Sequence, residues 1–176
     1  MKSKRLLIKL LVLSVTLFLS IGISACSDSS SHSAKTKNAK SANDSVIKFE
    51  KDGELTFTTK SGEYITQIDI EIADTNPKRM QGLMFRESMK ENRGMLFIFP
   101  TEEYQSFWMK NTIIPLDMIF VNAKRDIVNI HKNTTPYSEQ SYPSTSPAKY
   151  VIEVNAGFTD KYNIKPGDKI VWRIVK

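Results

Sequence analysis

The sequence is poor in the residues that build metal and redox centres: one cysteine, Cys26, and two histidines, His32 and His131. A single cysteine cannot close an intramolecular disulfide or supply a thiolate zinc cluster, and two histidines exclude a histidine-rich metal site. Glycine is also scarce. Gly53, Gly62 and Gly82 stand isolated, so no glycine-rich loop is available to cradle a phosphate. No motif calls for a cofactor. A surplus of one charge sign is largely missing as well. The net charge is +6, but Lys2, Lys4, Arg5 and Lys9 carry four of those charges within residues 1–25, which contain no acid. What remains is 21 basic against 19 acidic residues, which removes the electrostatic footprint expected of a nucleic-acid partner. With 40% hydrophobic and 25% charged residues, the chain is neither disordered throughout nor a multi-span membrane protein.

What is present begins with an address. Lys2, Lys4 and Arg5 form a positive start, and the 14 residues from Leu10 to Ile23 are apolar or small and uncharged. That length is short for a membrane span and suits the hydrophobic region of a signal peptide. It ends in Ile23-Ser24-Ala25-Cys26, which resembles the bacterial lipobox. The resemblance implies cleavage before Cys26 and attachment of lipid, such as palmitate, to that residue. One acyl chain holds only marginally, whereas the two or three of a lipoprotein hold firmly. The following stretch to Ser45 has no aromatic residue, valine, leucine or isoleucine, so it cannot offset its chain entropy by burial and reads as a disordered tether. His32 lies within it as an ordinary polar residue. The expected organisation is a lipoprotein signal peptide at 1–25, a lipidated cysteine and tether at 26–45, and one domain at 46–176. The expected location is extracytoplasmic, lipid-anchored to a bacterial membrane on its periplasmic or cell-surface side.

The domain reads as mainly β. Glu54 to Thr59 and Tyr64 to Ile72 alternate apolar with polar residues, with Ile68, Ile70 and Ile72 on one face and Gln67, Asp69 and Glu71 on the other. Lys60-Ser61-Gly62 between them reads as a hairpin turn. Further strands are expected at Met95 to Phe99, Leu116 to Val121, Asp126 to His131, Lys149 to Val154 and Asp168 to Val175. Asp74-Thr75-Asn76-Pro77 offers cap residues and a proline for a helix that carries Met80, Leu83 and Met84 and stops before Arg86. A second short helix is expected at Glu87 to Glu91. Many short strands with few helices point to a compact β-barrel or sandwich-like single domain.

Several polar residues lie inside or beside apolar runs: Arg79, Arg86, Trp108, Lys110, Asn111, Asp117, Glu153 and Asn155. Alternation turns Asp117 and Glu153 inward. An interior carboxylate needs a partner, and Arg86, then Lys110, are the expected donors to Asp117. Five stretches carry a wider likeness: Arg79 to Arg86, Gly94 to Phe99, Phe107 to Thr112, Ile114 to Asp117, and Val154 to Gly157. Together they resemble the bacterial family catalogued as domain of unknown function 192, over about Glu63 to Val175. The resemblance implies a compact β-barrel-like fold and frequent export, with no agreed activity. One departure is Lys78, where members often have an acid just before the arginine of the first stretch.

For Trp108, packing in the core is favoured over a ligand platform. The methionines Met80, Met84, Met89, Met95, Met109 and Met118 read as core filling rather than as a copper site. No serine, histidine or cysteine arrangement supports nucleophilic catalysis. The favoured reading is a non-catalytic, membrane-tethered binding module for a small polar or anionic ligand or a cell-envelope partner. Two alternatives stand beside it. One is an envelope-glycan hydrolase using Asp117 and Glu153 as a carboxylate pair, and the other is a purely structural envelope lipoprotein.

Overall fold

The computed structural model describes residues 47–175. The expected signal peptide, Cys26 and the expected tether with His32 lie outside the described residues. Nine strands and two short helices follow one another: β1 (Gly53–Thr58), β2 (Tyr64–Ala73), α1 (Asn76–Gln81), β3 (Arg93–Glu103), β4 (Ser106–Phe107), β5 (Leu116–Val121), β6 (Ile127–His131), β7 (Tyr142–Pro143), β8 (Ala148–Asn155), α2 (Phe158–Lys161) and β9 (Lys169–Ile174). Seven of the strands form one sheet in the order β6-β5-β8-β3-β2-β1-β9, and β4 pairs with β7 apart from it. The mainly β expectation holds, and each strand expected from alternation is present within a few residues of its place. The sheet does not close into a barrel. Its edge strands β6 and β9 approach at a single bridge, Asp126 with Lys169.

Only β2 and β3 run parallel. Parallel neighbours cannot be joined by a tight turn, so the chain must cross over between them. Here α1 and residues 82–92 make that crossing. Pro77 sits in the first turn of α1, where its missing N–H costs nothing. The short helix expected at Glu87 to Glu91 is absent: Glu87 is a bend, residues 88–90 are irregular and Glu91 opens a turn. Instead of coiling there, the chain is held by side chains from elsewhere, such as Asn155 Nδ2, which donates to the Met89 carbonyl at 2.9 Å.

Both faces of the sheet are buried. One carries Leu55, Phe57, Ile68, Ile70, Leu96, Ile119, Ile152, Val154 and Ile170, closed by Phe158 and Ile164. The other carries Met95, Phe97, Leu116, Met118, Phe120 and Val151, covered by Leu83, Met109, Ile114 and Tyr142. A strand in such a sheet is apolar on both sides, and all six residues of β5 are buried. Burying an aliphatic or aromatic side chain of this size contributes about 1.5–3 kcal/mol, so these two clusters carry the fold.

Candidate functional site

Register fixes what each face presents. Glu71 pairs with Met95, Met95 with Glu153, Glu153 with Met118, and Met118 with His131. Residues paired across strands point the same way, so this row crosses five strands on the second face. Two carboxyls, Glu71 and Glu153, stand in it with one strand between them, about 10 Å apart at the backbone. Gly94 permits this close row: a Cβ there would lie 2.7 Å from the Glu153 carbonyl oxygen. Any larger residue would force β8 away from β3.

Asp117 lies on the opposite face. It pairs with Val154, a member of the first core, and is fully buried. Its Oδ1 accepts from the Asn133 N–H at 2.9 Å and the Gly157 N–H at 3.2 Å. Its Oδ2 accepts from the Thr159 N–H at 2.9 Å and the Thr159 hydroxyl at 2.7 Å. The expected pairing with Arg86 or Lys110 is therefore wrong. Backbone donors from two loops satisfy this carboxylate, and it ties the entry to α2 and the turn after β6 onto β5.

Arg86 pairs with Glu71 instead. Its Nη1 lies 2.6 Å from Glu71 Oε2, with both side chains buried. The N–H is poorly aligned on that oxygen, and Arg86 Nε and Glu71 Oε2 make no hydrogen bond, so the attraction is chiefly Coulombic. Glu71 Oε1 accepts from the Glu50 N–H at 3.1 Å. Alternation had turned Glu71 outward. It is buried because the crossover covers the end of β2.

A cavity of about 700 Å³ opens on the second face. Leu83, Phe97, Phe99, Phe107 and Trp108 supply much of its apolar lining, and Arg79, Lys110, Asn111 and Glu153 contribute polar groups. Five of the eight residues singled out in the sequence thus line one concavity: Arg79, Trp108, Lys110, Asn111 and Glu153. Arg86, Asp117 and Asn155 do not. Phe107 turns into the core, meeting Phe97 edge-on at a ring separation of 5.1 Å. Trp108 therefore faces out and is 51% exposed, which corrects the expectation of core packing.

The cations of the cavity are already engaged. Arg79 Nη1 donates to the carbonyls of Asp74 at 2.6 Å and Ile98 at 2.7 Å, Nη2 donates to Asn76 Oδ1, and the guanidinium stands 5.4 Å from the Phe99 ring centre. Lys110 Nζ pairs with Glu139 at 3.1 Å and lies 5.4 Å from the Trp108 ring centre. Glu153 is different. It is 5% exposed, and burial pushes its carboxyl up from 4.5 to about 8. No ion pair or hydrogen bond engages its side chain among the described residues. A charged carboxylate is disfavoured in such surroundings, so the group is mostly protonated near neutral pH.

The rim is strained. Phe85, Asn111 and Tyr137 have φ of 63°, 58° and 59°, a region that bulky residues rarely enter. They are joined through backbone bonds, Phe85 N–H to the Asn111 carbonyl at 2.9 Å and Tyr137 N–H to the Thr112 carbonyl at 3.1 Å. The result is that Phe85 and Tyr137 stand 60% and 63% exposed close to the mouth. Residue types do not signal this, because none there favours positive φ except Asn111. No cluster of three or more metal-ligating side chains occurs among the described residues.

Comparison with known proteins places the chain in a family. The model of the family DUF192, described as "Uncharacterized ACR", matches residues 56–172. UPF0127 protein PF1050 of Pyrococcus furiosus is 29% identical over 111 residues, spanning 60% of this chain and 88% of that protein. A solved structure from Sinorhizobium meliloti 1021, described provisionally as a transcription regulator, is 36% identical with a TM-score of 0.67. The match covers 71% of this chain and 97% of the other. A protein of unknown function from Novosphingobium aromaticivorans is 39% identical with a TM-score of 0.64, covering 68% and 84%.

Proposed function

The chain belongs to the DUF192 family, and from that premise we propose that it is a lipid-anchored, extracytoplasmic binding module that takes a small polar ligand in the cavity around Glu153. The observation that carries this reading is a buried carboxyl on the cavity wall with no protein partner. A carboxyl that finds no hydrogen bond within its own fold is open to one from a ligand. Asp117, by contrast, has all its acceptor positions met from within the domain. The mostly apolar lining with a few convergent polar groups is the usual make-up of a small-molecule site. Of the polar or anionic ligand expected, the engaged state of Arg79 and Lys110 disfavours the anionic kind. The near-balanced charge of residues 26–176 lends no support to a nucleic-acid partner.

The glycan-hydrolase alternative does not fit. Two carboxyls that flank one bond must share a cleft, and Asp117 and Glu153 project from opposite faces of the sheet. Among the described residues, Glu153 is the single acid lining the cavity.

The test of binding is a thermal-shift screen of small polar compounds on the full chain, repeated on Trp108→Ala and Glu153→Gln. At least one compound should raise the parent's midpoint and lose that effect in both variants. If none does, the binding reading fails. Anchoring has its own test. Cys26→Ser should release the protein from the membrane fraction or leave it unprocessed, with the unfolding midpoint unchanged. A processed variant that still fractionates with membranes would exclude lipidation at Cys26.

A further inference from the structure

Of the three residues Arg79, Lys110 and Glu153 on the cavity wall, one has no partner in the fold, and it points to what an occupant can bring. Arg79 is held by two carbonyls and a carboxamide, and Lys110 by a carboxylate. Neither needs an anion to complete it. Glu153 lacks a partner, and the wall around it is rich in rings: Phe97, Phe99, Phe107 and Trp108. Aromatic faces attract cations, and a carboxylate beside them adds the countercharge. We propose that the cavity binds an organic amine, its ammonium seated on the Glu153 carboxylate and its apolar body lying against the aromatic wall. This rests on the binding reading above and narrows it to a ligand class.

The seating includes a proton step whose balance is simple. Free Glu153 holds a proton, as burial dictates. The incoming ammonium favours the ionised form, so the carboxylic O–H gives its proton to solvent and the amine keeps its own. One proton is released for each amine bound below about pH 8. The groups that face Glu153 do not supply this effect themselves. Met95 of β3 and Met118 of β5 flank it and do not titrate. Arg79 from α1 and Lys110 from the segment after β4 line the same cavity as engaged cations. Along the row, Glu71 is neutralised by Arg86 and His131 bonds to the Pro143 carbonyl at 2.7 Å. An ammonium is accordingly a partner that turns Glu153 into a satisfied ion.

The experiment uses three probes that share one ring system and differ at the end of the chain: tryptamine, tryptophol and indole-3-propionate. Each is titrated calorimetrically into the full chain in mild detergent, with Glu153→Gln in the same detergent to subtract partitioning. Tryptamine should bind more tightly than the alcohol or the acid. Its affinity should rise about tenfold between about pH 6 and about pH 7 and level off above about pH 8. Proton release, read from buffers of different ionisation enthalpy, should approach one per amine. Glu153→Gln should lose the pH dependence and the proton release. Tighter binding of the alcohol or the acid would overturn the amine assignment and leave the binding reading standing. So would amine binding without proton release. Failure of all three probes on the parent also overturns it, whereas the binding reading falls only if the wider screen is empty as well.

Discussion

Asp117 and Glu153 sit on adjacent strands, one register step apart, and face opposite ways. Both are buried acids in apolar strands, and by composition they are equivalent. On the first face, Asp117 is met by three backbone N–H groups and a hydroxyl. On the second, Glu153 opens onto a cavity and meets nothing. The difference teaches that burial alone does not separate a structural acid from a functional one. The count of partners separates these two, because a satisfied carboxylate holds the domain together and one left without a partner in the fold is open to a bond from outside it.

The most forceful way to break this contrast is Asp117→Ala. It would strand four donors, two of them buried, and about 4 kcal/mol of stability should be lost, measured by denaturant unfolding. Asp117→Asn keeps the shape and should lose less. An alanine variant as stable as the parent would remove the structural reading of the first face. Next comes Arg86→Met, which leaves Glu71 buried without its cation and should cost about 3 kcal/mol. Adding Glu71→Leu should recover most of that loss. If it does not, Arg86 acts through more than the pair.

Glu153 itself sharpens the comparison through pH. Its folded value of about 8 lies above the unfolded value of 4.5, so between them the folded state holds the extra proton. Stability therefore falls as pH rises through that window, by at most about 1.4 kcal/mol per pH unit. The slope should vanish in Glu153→Gln, read as unfolding free energy against pH. A parent with no such slope would mean that water or a partner already satisfies the carboxyl. The smallest effect is expected at the rim. Lys110→Ala breaks an exposed pair with Glu139 and should change stability by less than about 0.5 kcal/mol. A much larger loss would show that the rim is part of the core.

Much of this was legible in the order of residues. Alternation in Tyr64 to Ile72 placed β2, and the apolar run Leu116 to Val121 placed β5, because a sheet's two-residue period imprints itself directly. The inward turn of Asp117 and Glu153 followed from the same rule. Their partners did not follow, since backbone N–H groups carry no signature in the sequence. Glu71 was misplaced because alternation assumes that one face is wet, and here the crossover covers both. Trp108 was misplaced for the opposite reason. An apolar run Phe107-Trp108-Met109 looks wholly interior, yet an extended chain must send its middle residue outward. The helix α2 was missed because four residues after Gly157, itself at φ 83°, are too few to show a helical period.

The pairing of β1 with β9 has a consequence in time rather than in space. Gly53 to Thr58 lies between β2 and β9, and its outer neighbour is drawn from Lys169 to Ile174, the last strand described. β1 is among the first strands to be synthesised, yet one side of it has no mate until nearly the whole domain has been made. Until then its free N–H and carbonyl groups are an open edge that other chains can pair with. Long-range pairing of this kind also slows folding, because loop-closure entropy is spent before the contacts form. Loss of the final strand would thus harm the domain twice, by removing burial and by leaving its earliest strand permanently unguarded.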